Sequence, residues 1–547
     1  MKNKLNDFTN GIISLIVSQI LIKIFGVIYS VYITNKTGFG DEGNAIYKSG
    51  YQIYALLLTV SSIGVPNAIS KLISEKKSQK DIINQDRIFK VSLFLFAIIG
   101  SIGMLLLFVF SKVIADKILG IPKATLSLMI LSPAVFFVSL NSVFRGYFNG
   151  INKIKITAKV QFIEQVLKSI FTIIFVEISS KISNNNTEIM ASSANFATTV
   201  ATCFSLIYIF KKYIESSNIY EEKIIYSKER IISIINKVLC ISIPMALNAI
   251  LSSLGKNIDS ITIVRILKNI IGEEQALRKY GIISSKIDIL VTMPLSFNSS
   301  ISTALIPEIS RKKAKNDIDG LVNKIKLSIL ITLMLGIPYF FGVYTYSKEI
   351  FEILFPNAND GHVLLKIASF GIVFSMLTQT INSILQGLGN NKVPVFASLL
   401  GVIFKVLSNI YLVRIENVYE KGAIIGNIIS SFVSFIIVYK ALMKNVDLKF
   451  RINSLILKPL FGSLVMISFS LLVHNLLIRN QIKDTFSGLI SISIAVIIYV
   501  FCIFVMKMIK KTDFCEMPEN SGFADLETVK NLKNKEFFEK KQKKRRI

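Results

Sequence analysis

Charged side chains stand inside several long apolar stretches of this chain, and their chemistry has to be explained first. Lys23 interrupts the run over 9–34, Glu164 and Lys168 fall in 156–179, and Lys256, Asp259 and Arg265 in 234–265. Lys286 and Asp288 fall in 280–306, and Lys405 in 391–413. An ionisable group at bilayer depth is costly, so it persists where it meets a partner or faces a protein-lined aqueous path.

Spacing separates these groups. Glu164 and Lys168 are four apart and Lys256 and Asp259 three apart, so each set can close on one helix face. Lys168 and Lys405 occupy corresponding places in two halves of the chain, which favours an architectural role. Arg145 and Arg265 lie near stretch ends, where a long side chain either snorkels to the headgroups or meets an anion. No acid lies three or four residues from Lys23, and Asp288, two positions from Lys286, falls on a different helix face. Both lysines need a partner from another helix or from a ligand, and one cation in each half suits an anion held between the halves. The candidate substrate-binding residues are Lys23, Lys286, Arg145 and Arg265. Asp259, Asp288 and Glu164 are the candidates for carrying a coupling proton or sodium ion.

The elements that position these groups follow from composition. The 547 residues are 52% hydrophobic and 18% charged, with a mean hydropathy of +0.56. Ordinary soluble domains carry about 25% charged residues, so this is an integral membrane protein and not a soluble, secreted, disordered or coiled-coil chain. The net charge of +28 invites a nucleic-acid reading, but basic cytoplasmic loops produce the same sum, and no nucleic-acid partner is expected. The first apolar run has no small-residue cleavage site and reads as a retained helix.

About fourteen stretches can cross ~30 Å of hydrocarbon as helices. Continuous apolar runs exclude a β-barrel. Lys71 to Lys90, Lys211 to Lys237, Arg311 to Lys326 and Lys440 to Lys458 place both termini in the cytoplasm, although the basic loop Lys268 to Lys279 counts against this.

An internal repeat organises the chain. Ser74-Glu75-Lys76-Lys77 recurs as Ser310-Arg311-Lys312-Lys313, Phe110-Ser111-Lys112 as Tyr346-Ser347-Lys348, and Asn141-Ser142 as Asn382-Ser383. The copies are separated by an even number of spans, so two six-helix lobes are related by a pseudo-twofold along the membrane normal. The expected division is a first lobe over 1–212, a cytoplasmic linker over 213–233, a second lobe over 234–445 and two further helices over 446–509. A basic cytoplasmic tail over 510–547, ending in Lys540 to Arg546, suits anionic lipid headgroups.

Enzyme readings find little support. The two histidines, His362 and His474, form no H-E-x-x-H, and a nucleophile elbow and a Walker loop are missing. Neither the cysteines nor the Gly40-Asp41-Glu42-Gly43 turn indicates a metal site, and no cofactor is expected.

Several segments resemble the MurJ and stage V sporulation protein B branch of lipid-linked glycan flippases. They are Gly43-Asn44-Ala45-Ile46-Tyr47, Gly64-Val65-Pro66-Asn67-Ala68 through Glu75, Arg145-Gly146-Tyr147-Phe148-Asn149-Gly150, Gln161 with Glu164-Gln165, and Ser302-Thr303-Ala304-Leu305-Ile306-Pro307-Glu308. The resemblance implies a V-shaped pair of bundles with a basic central cavity, two extra helices shaping a lipid-facing groove, and transport of undecaprenyl-diphosphate-linked sugars such as lipid II. Relatives carry arginines in helices one and eight that are thought to hold the diphosphate. Here Lys23 stands in Leu21-Ile22-Lys23-Ile24-Phe25-Gly26, and Ser30 follows Tyr29 where close relatives have a second Arg. Lysine binds phosphate as a point charge and not as a fork.

The expected protein is a monomeric bacterial plasma-membrane flippase working by alternating access. Its partner is a prenyl-diphosphate-linked sugar lipid, with coupling to membrane potential, H+ or Na+. The rivals are a cation-coupled multidrug exporter of the same fold, which would favour carboxylates and aromatics in its cavity, and a non-transporting scaffold acting through the basic tail.

Overall fold

The computed structural model describes residues 21–59, 64–79, 81–217, 230–358, 360–446, 452–506 and 508. The basic tail, most of the linker and the start of the first span lie outside them. Among the described residues the chain is all-helical. The first half comprises α1 (Leu21–Thr34), α2 (Gly40–Thr59), α3 (Val65–Ser78), α4 (Ile82–Val109), α5 (Thr125–Gly150), α6 (Ile154–Ile182) and α7 (Thr187–Ser217). The second comprises α8 (Ile231–Ile271), α9 (Glu273–Gly281), α10 (Asp288–Ala314), α11 (Ile318–Thr345), α12 (Ser347–Leu354), α13 (His362–Gly387), α14 (Lys392–Leu412) and α15 (Tyr419–Asn445). A final pair, α16 (Ile452–Arg479) and α17 (Asp484–Val505), packs on α11.

Nine spans among the described residues are long and apolar enough to cross a bilayer. α6, α8 and α10 are as long but carry the ionisable groups. Phe94, Leu105, Ile497, Phe501 and Phe504 are each more than half exposed, as suits side chains whose solvent is lipid. α3 carries Pro66 in its first turn, where a missing N–H costs no hydrogen bond.

The repeat is visible in contacts. Lys77 Nζ donates to the Ile151 carbonyl at 2.6 Å, and Lys313 Nζ to the Leu388 carbonyl at 2.7 Å. Asp81 caps α4 through Asn84 N–H, as Asp317 caps α11 through Gly320 N–H. The Gly320 amide, and after it Lys312, hold the Asp317 carboxyl below its ordinary range. A Cβ on Gly150 would lie 2.8 Å from Ile73 Cβ, and one on Gly387 would lie 2.8 Å from Ile309 Cβ. In each half a glycine therefore lets two helices cross backbone to side chain. The fold is two helical lobes related by a pseudo-twofold, with two C-terminal helices appended.

The lobes meet unequally at their two ends. Where residues 35–41 and 354–360 lie, α2 packs on the second half of α8, on α9 and on the wide turn 282–287. At the other end the extensive contact among the described residues comes from α8, whose first half packs on α3 and α4. Ile234 and Val238 share a core with Val65, Ile69 and Phe89. At 41 residues α8 is about 60 Å long, so one helix belongs to both lobes.

Candidate functional site

Most of the charged residues fall into buried clusters, Lys23 and Arg265 are exposed, and Asp288 lines a cavity. Lys286 is fully buried in the wide turn 282–287. Its Nζ lies 2.8 Å from Asp41 and donates to the carbonyls of Ala358 and Asp360, with the rings of Phe351 and Phe355 about it. Proposed from sequence as an anion-binding cation, Lys286 is instead committed across the lobes. Two-residue spacing removed Asp288 as a partner, but Asp41 is 245 residues away.

The same end is closed by further bonds. Asn35 Nδ2 donates to the Leu354 carbonyl at 2.8 Å, and Asn357 Nδ2 donates to the Asn35 carbonyl at 3.0 Å. Tyr280 OH donates to Gln52 Oε1 at 3.0 Å. A Cβ on Gly281 would lie 1.8 Å from the Asp41 carbonyl oxygen, so glycine is required for this approach. Arg265, also read as a substrate cation or a snorkelling residue, is exposed and donates to the Lys117 carbonyl of the first lobe.

The second cluster lies in the first lobe. Glu164 does not close on Lys168. It accepts from Arg145 at 2.7 Å and from Ser205 at 3.2 Å, and Arg145 is buried, not snorkelling. A guanidinium one helix away outcompetes the ammonium one turn away because α5 and α6 place it in the interior. Lys168 lies 3.8 Å from the centre of the Tyr51 ring and is also buried, where the aromatic face supports the ammonium.

In the second lobe, Asp259 takes Lys405 at 2.7 Å and Asn409 Nδ2 at 3.1 Å. The expected partner, Lys256, has a side chain outside the described residues. With one oxygen on an ammonium and the other on an amide, Asp259 is not an open carboxylate for a coupling ion. Sequence reasoning also passed over Lys324, which is buried against Glu308 at 2.8 Å. Lys324 follows Lys312 and Lys313 so closely that it reads as part of a basic loop.

Lys23 differs from these in being exposed. Ser30 and Thr34, seven and eleven residues on, lie within about 20° of it around the helix, and both are buried at 1%. Ile24 and Ile28, on another face, are exposed apolar residues. The face that carries Lys23 is therefore the one α1 turns toward the protein. It is covered near the closed end and uncovered two turns away.

Asp288 lines a cavity of about 460 Å³ in the second lobe. Gln52 and Tyr280 reach it from the lobe junction, the Asp259–Lys405 pair forms part of its wall, and Ser284, Asn382 and Ser431 contribute neutral polar groups. No group of three or more His, Cys, Asp or Glu gathers as a metal site among the described residues.

Comparison with known proteins places this arrangement. The family described as polysaccharide biosynthesis protein matches residues 8–313, and MatE matches 244–411. Stage V sporulation protein B of Bacillus subtilis (strain 168) is 22% identical over 408 residues, covering 73% of this chain and 76% of its own. The lipid II flippase MurJ of the same organism is 22% identical over 479 residues, covering 80% and 84%. A solved lipid II flippase MurJ in an inward closed conformation shares the fold with a TM-score of 0.68 at 17% identity, covering 90% of this chain and 98% of that one. Of these names the one that states an activity, lipid II flippase, states transport; the protein is a multi-pass membrane protein and not an enzyme. With the first of these models matching more than half of its length, the chain belongs to the polysaccharide biosynthesis protein family.

Proposed function

We propose that the protein is a flippase for undecaprenyl-diphosphate-linked glycans, lipid II or a related wall or spore precursor, moving them from the inner to the outer leaflet. One observation supports this most: among the described residues α2, α9 and the turn 282–287 join the lobes at one end, α8 alone makes extensive contact at the other, and Lys23 is exposed on the protein-facing side of α1 two turns from the joined end. With the basic loops in the cytoplasm of a bacterial plasma membrane, the joined end faces outward and the cleft opens inward.

The diphosphate enters from the cytoplasmic side and meets Lys23 as a point charge, while the prenyl chain stays in lipid. For the outer end to open, Lys286 must leave Asp41, while its bonds to the Ala358 and Asp360 carbonyls stay within the second lobe. An anionic headgroup in the cleft is a competing partner that lowers the cost of that separation. Rocking of the lobes then exposes the headgroup outside. An inside-negative potential favours return of the emptied, positive cleft by ~2.3 kcal/mol per charge per 100 mV. The basic tail contacts anionic headgroups, and the monomer is the working unit.

Replacing Lys23 with Ala in cells that depend on this protein is expected to abolish outer-leaflet delivery of the lipid-linked sugar at normal protein level, with Lys23→Arg retaining it. Full delivery by the Ala variant would refute the role of this cation. A second reading, export of organic cations, draws on the MatE match and on Asp288 in the cavity. Energy-dependent efflux of a cationic dye, lost in Asp288→Asn, would favour it.

A further inference from the structure

Apart from Asp288 and the Asp259–Lys405 pair, the polar groups that wall the second-lobe cavity are neutral. Three of its hydroxyls spend their protons on their own helices: Thr378 on the Phe374 carbonyl, Ser398 on Pro394 and Ser431 on Asn427. Such back-bonding leaves the oxygen lone pairs for something else. Ser284 Oγ and Asn382 Oδ1 are buried at the wall with no hydrogen-bond partner. Ser284 itself is only 5% exposed and sits in the wide turn 282–287. An unsatisfied buried polar group is destabilising unless something fills the cavity and pairs with it.

An occupant that satisfies Asn382 Oδ1 and the back-bonded hydroxyls must bring donors, and the Ser284 hydroxyl can accept or donate. A diphosphate brings only acceptors and cannot serve Asn382 Oδ1. A bare metal ion is far smaller than about 460 Å³, and Asp259 is already neutralised by Lys405. A neutral ring bearing several O–H or amide N–H groups matches both the volume, which lies in the range of ligand sites, and the polarity.

We propose that this cavity is a subsite for the uncharged sugar of the transported lipid, with Ser284 and Asn382 accepting from its hydroxyl or amide groups. It rests on the flippase reading and adds a division of labour: the diphosphate stays with Lys23 in the cleft, and the sugar enters the second lobe past Gln52 and Tyr280. The sugar thus contributes to selection, separately from the charge.

The test uses the full-length protein in nanodiscs with two probes: undecaprenyl diphosphate without a sugar, and the same lipid carrying a neutral disaccharide. The glycosylated lipid is expected to bind about tenfold more tightly. Ser284→Ala and Asn382→Leu, made singly, should bring that ratio to about two or less while leaving the bare lipid unchanged; Lys23→Ala should weaken both alike. Free disaccharide should compete with the glycosylated probe only. Equal binding of the two probes by the wild-type protein would overturn the subsite and leave the flippase reading standing, whereas binding of neither would overturn both. Equal weakening of both probes in the Ser284 and Asn382 variants, or displacement of the glycosylated probe by sodium or ethidium, would also overturn the subsite.

Discussion

Lys405, Lys286 and Arg145 show why a buried charge in this protein cannot be assigned from its own helix. Each takes a carboxylate from a different helix: Asp259, Asp41 and Glu164. Breaking such a pair leaves one charge uncompensated, at a cost of about 3–5 kcal/mol, whereas replacing both members with apolar residues is often neutral. Lys405→Leu alone is therefore expected to lower the melting temperature of the detergent-solubilised protein markedly, and the double variant Lys405→Leu, Asp259→Leu to restore most of it. A double variant no more stable than the single one would show that the pair has a role beyond compensation. The sequence correctly singled out the costly residues. It missed the partners because residues 146 or 245 apart carry no spacing signal.

At the scale of elements, the repeat was legible in short motifs such as Ser74–Lys77 and Ser310–Lys313, whereas the matching glycine crossings and aspartate caps came from the structure. Gly387→Val pushes a branched side chain into Ile309 where a Cβ alone would lie 2.8 Å away. Overpacking of this kind costs about 1–3 kcal/mol, so the variant should melt earlier, while Gly389→Ala, which meets nothing within 4 Å, tests only the strain of its positive φ. The helix pair α16 and α17 is attached differently. His474 Nδ1 lies 2.9 Å from Ser487 Oγ, its Nε2 lies 3.6 Å from Glu349, and Tyr346 OH donates to Ser470. As a lone histidine in an apolar stretch, His474 gave no sequence sign of tying α16 to α17 and to α12.

For the whole molecule, the decisive feature is the closed end. Asp41→Ala or Gly281→Ala should shift the population toward a state open at that end, read as faster labelling of a cysteine placed at Ala358, whose side chain takes no part in the closure. Asp41→Lys paired with Lys286→Asp should recover part of the closed population. Unchanged labelling in both single variants would mean that this end is held by the Asn35 and Asn357 bonds without the ion pair. The sharing of α8 between the lobes belongs to this scale too. A division at residue 233 follows the composition, yet Ile234 and Val238 pack with the first lobe, because a helix of about 60 Å outreaches either bundle.

What the sequence determined by itself was the class of solvent, the helical architecture, the twofold repeat and the identity of the residues too costly to be incidental. Those properties depend on composition and on periods a few residues long, which a linear chain displays directly. Tertiary structure alone decided which of those charges are neutralised, which end of the molecule is closed, and that Lys23 is left exposed on the inward face of α1. Electrostatic partnership depends on distance in space, and in this fold a distance of about 3 Å is met between residues more than a hundred positions apart.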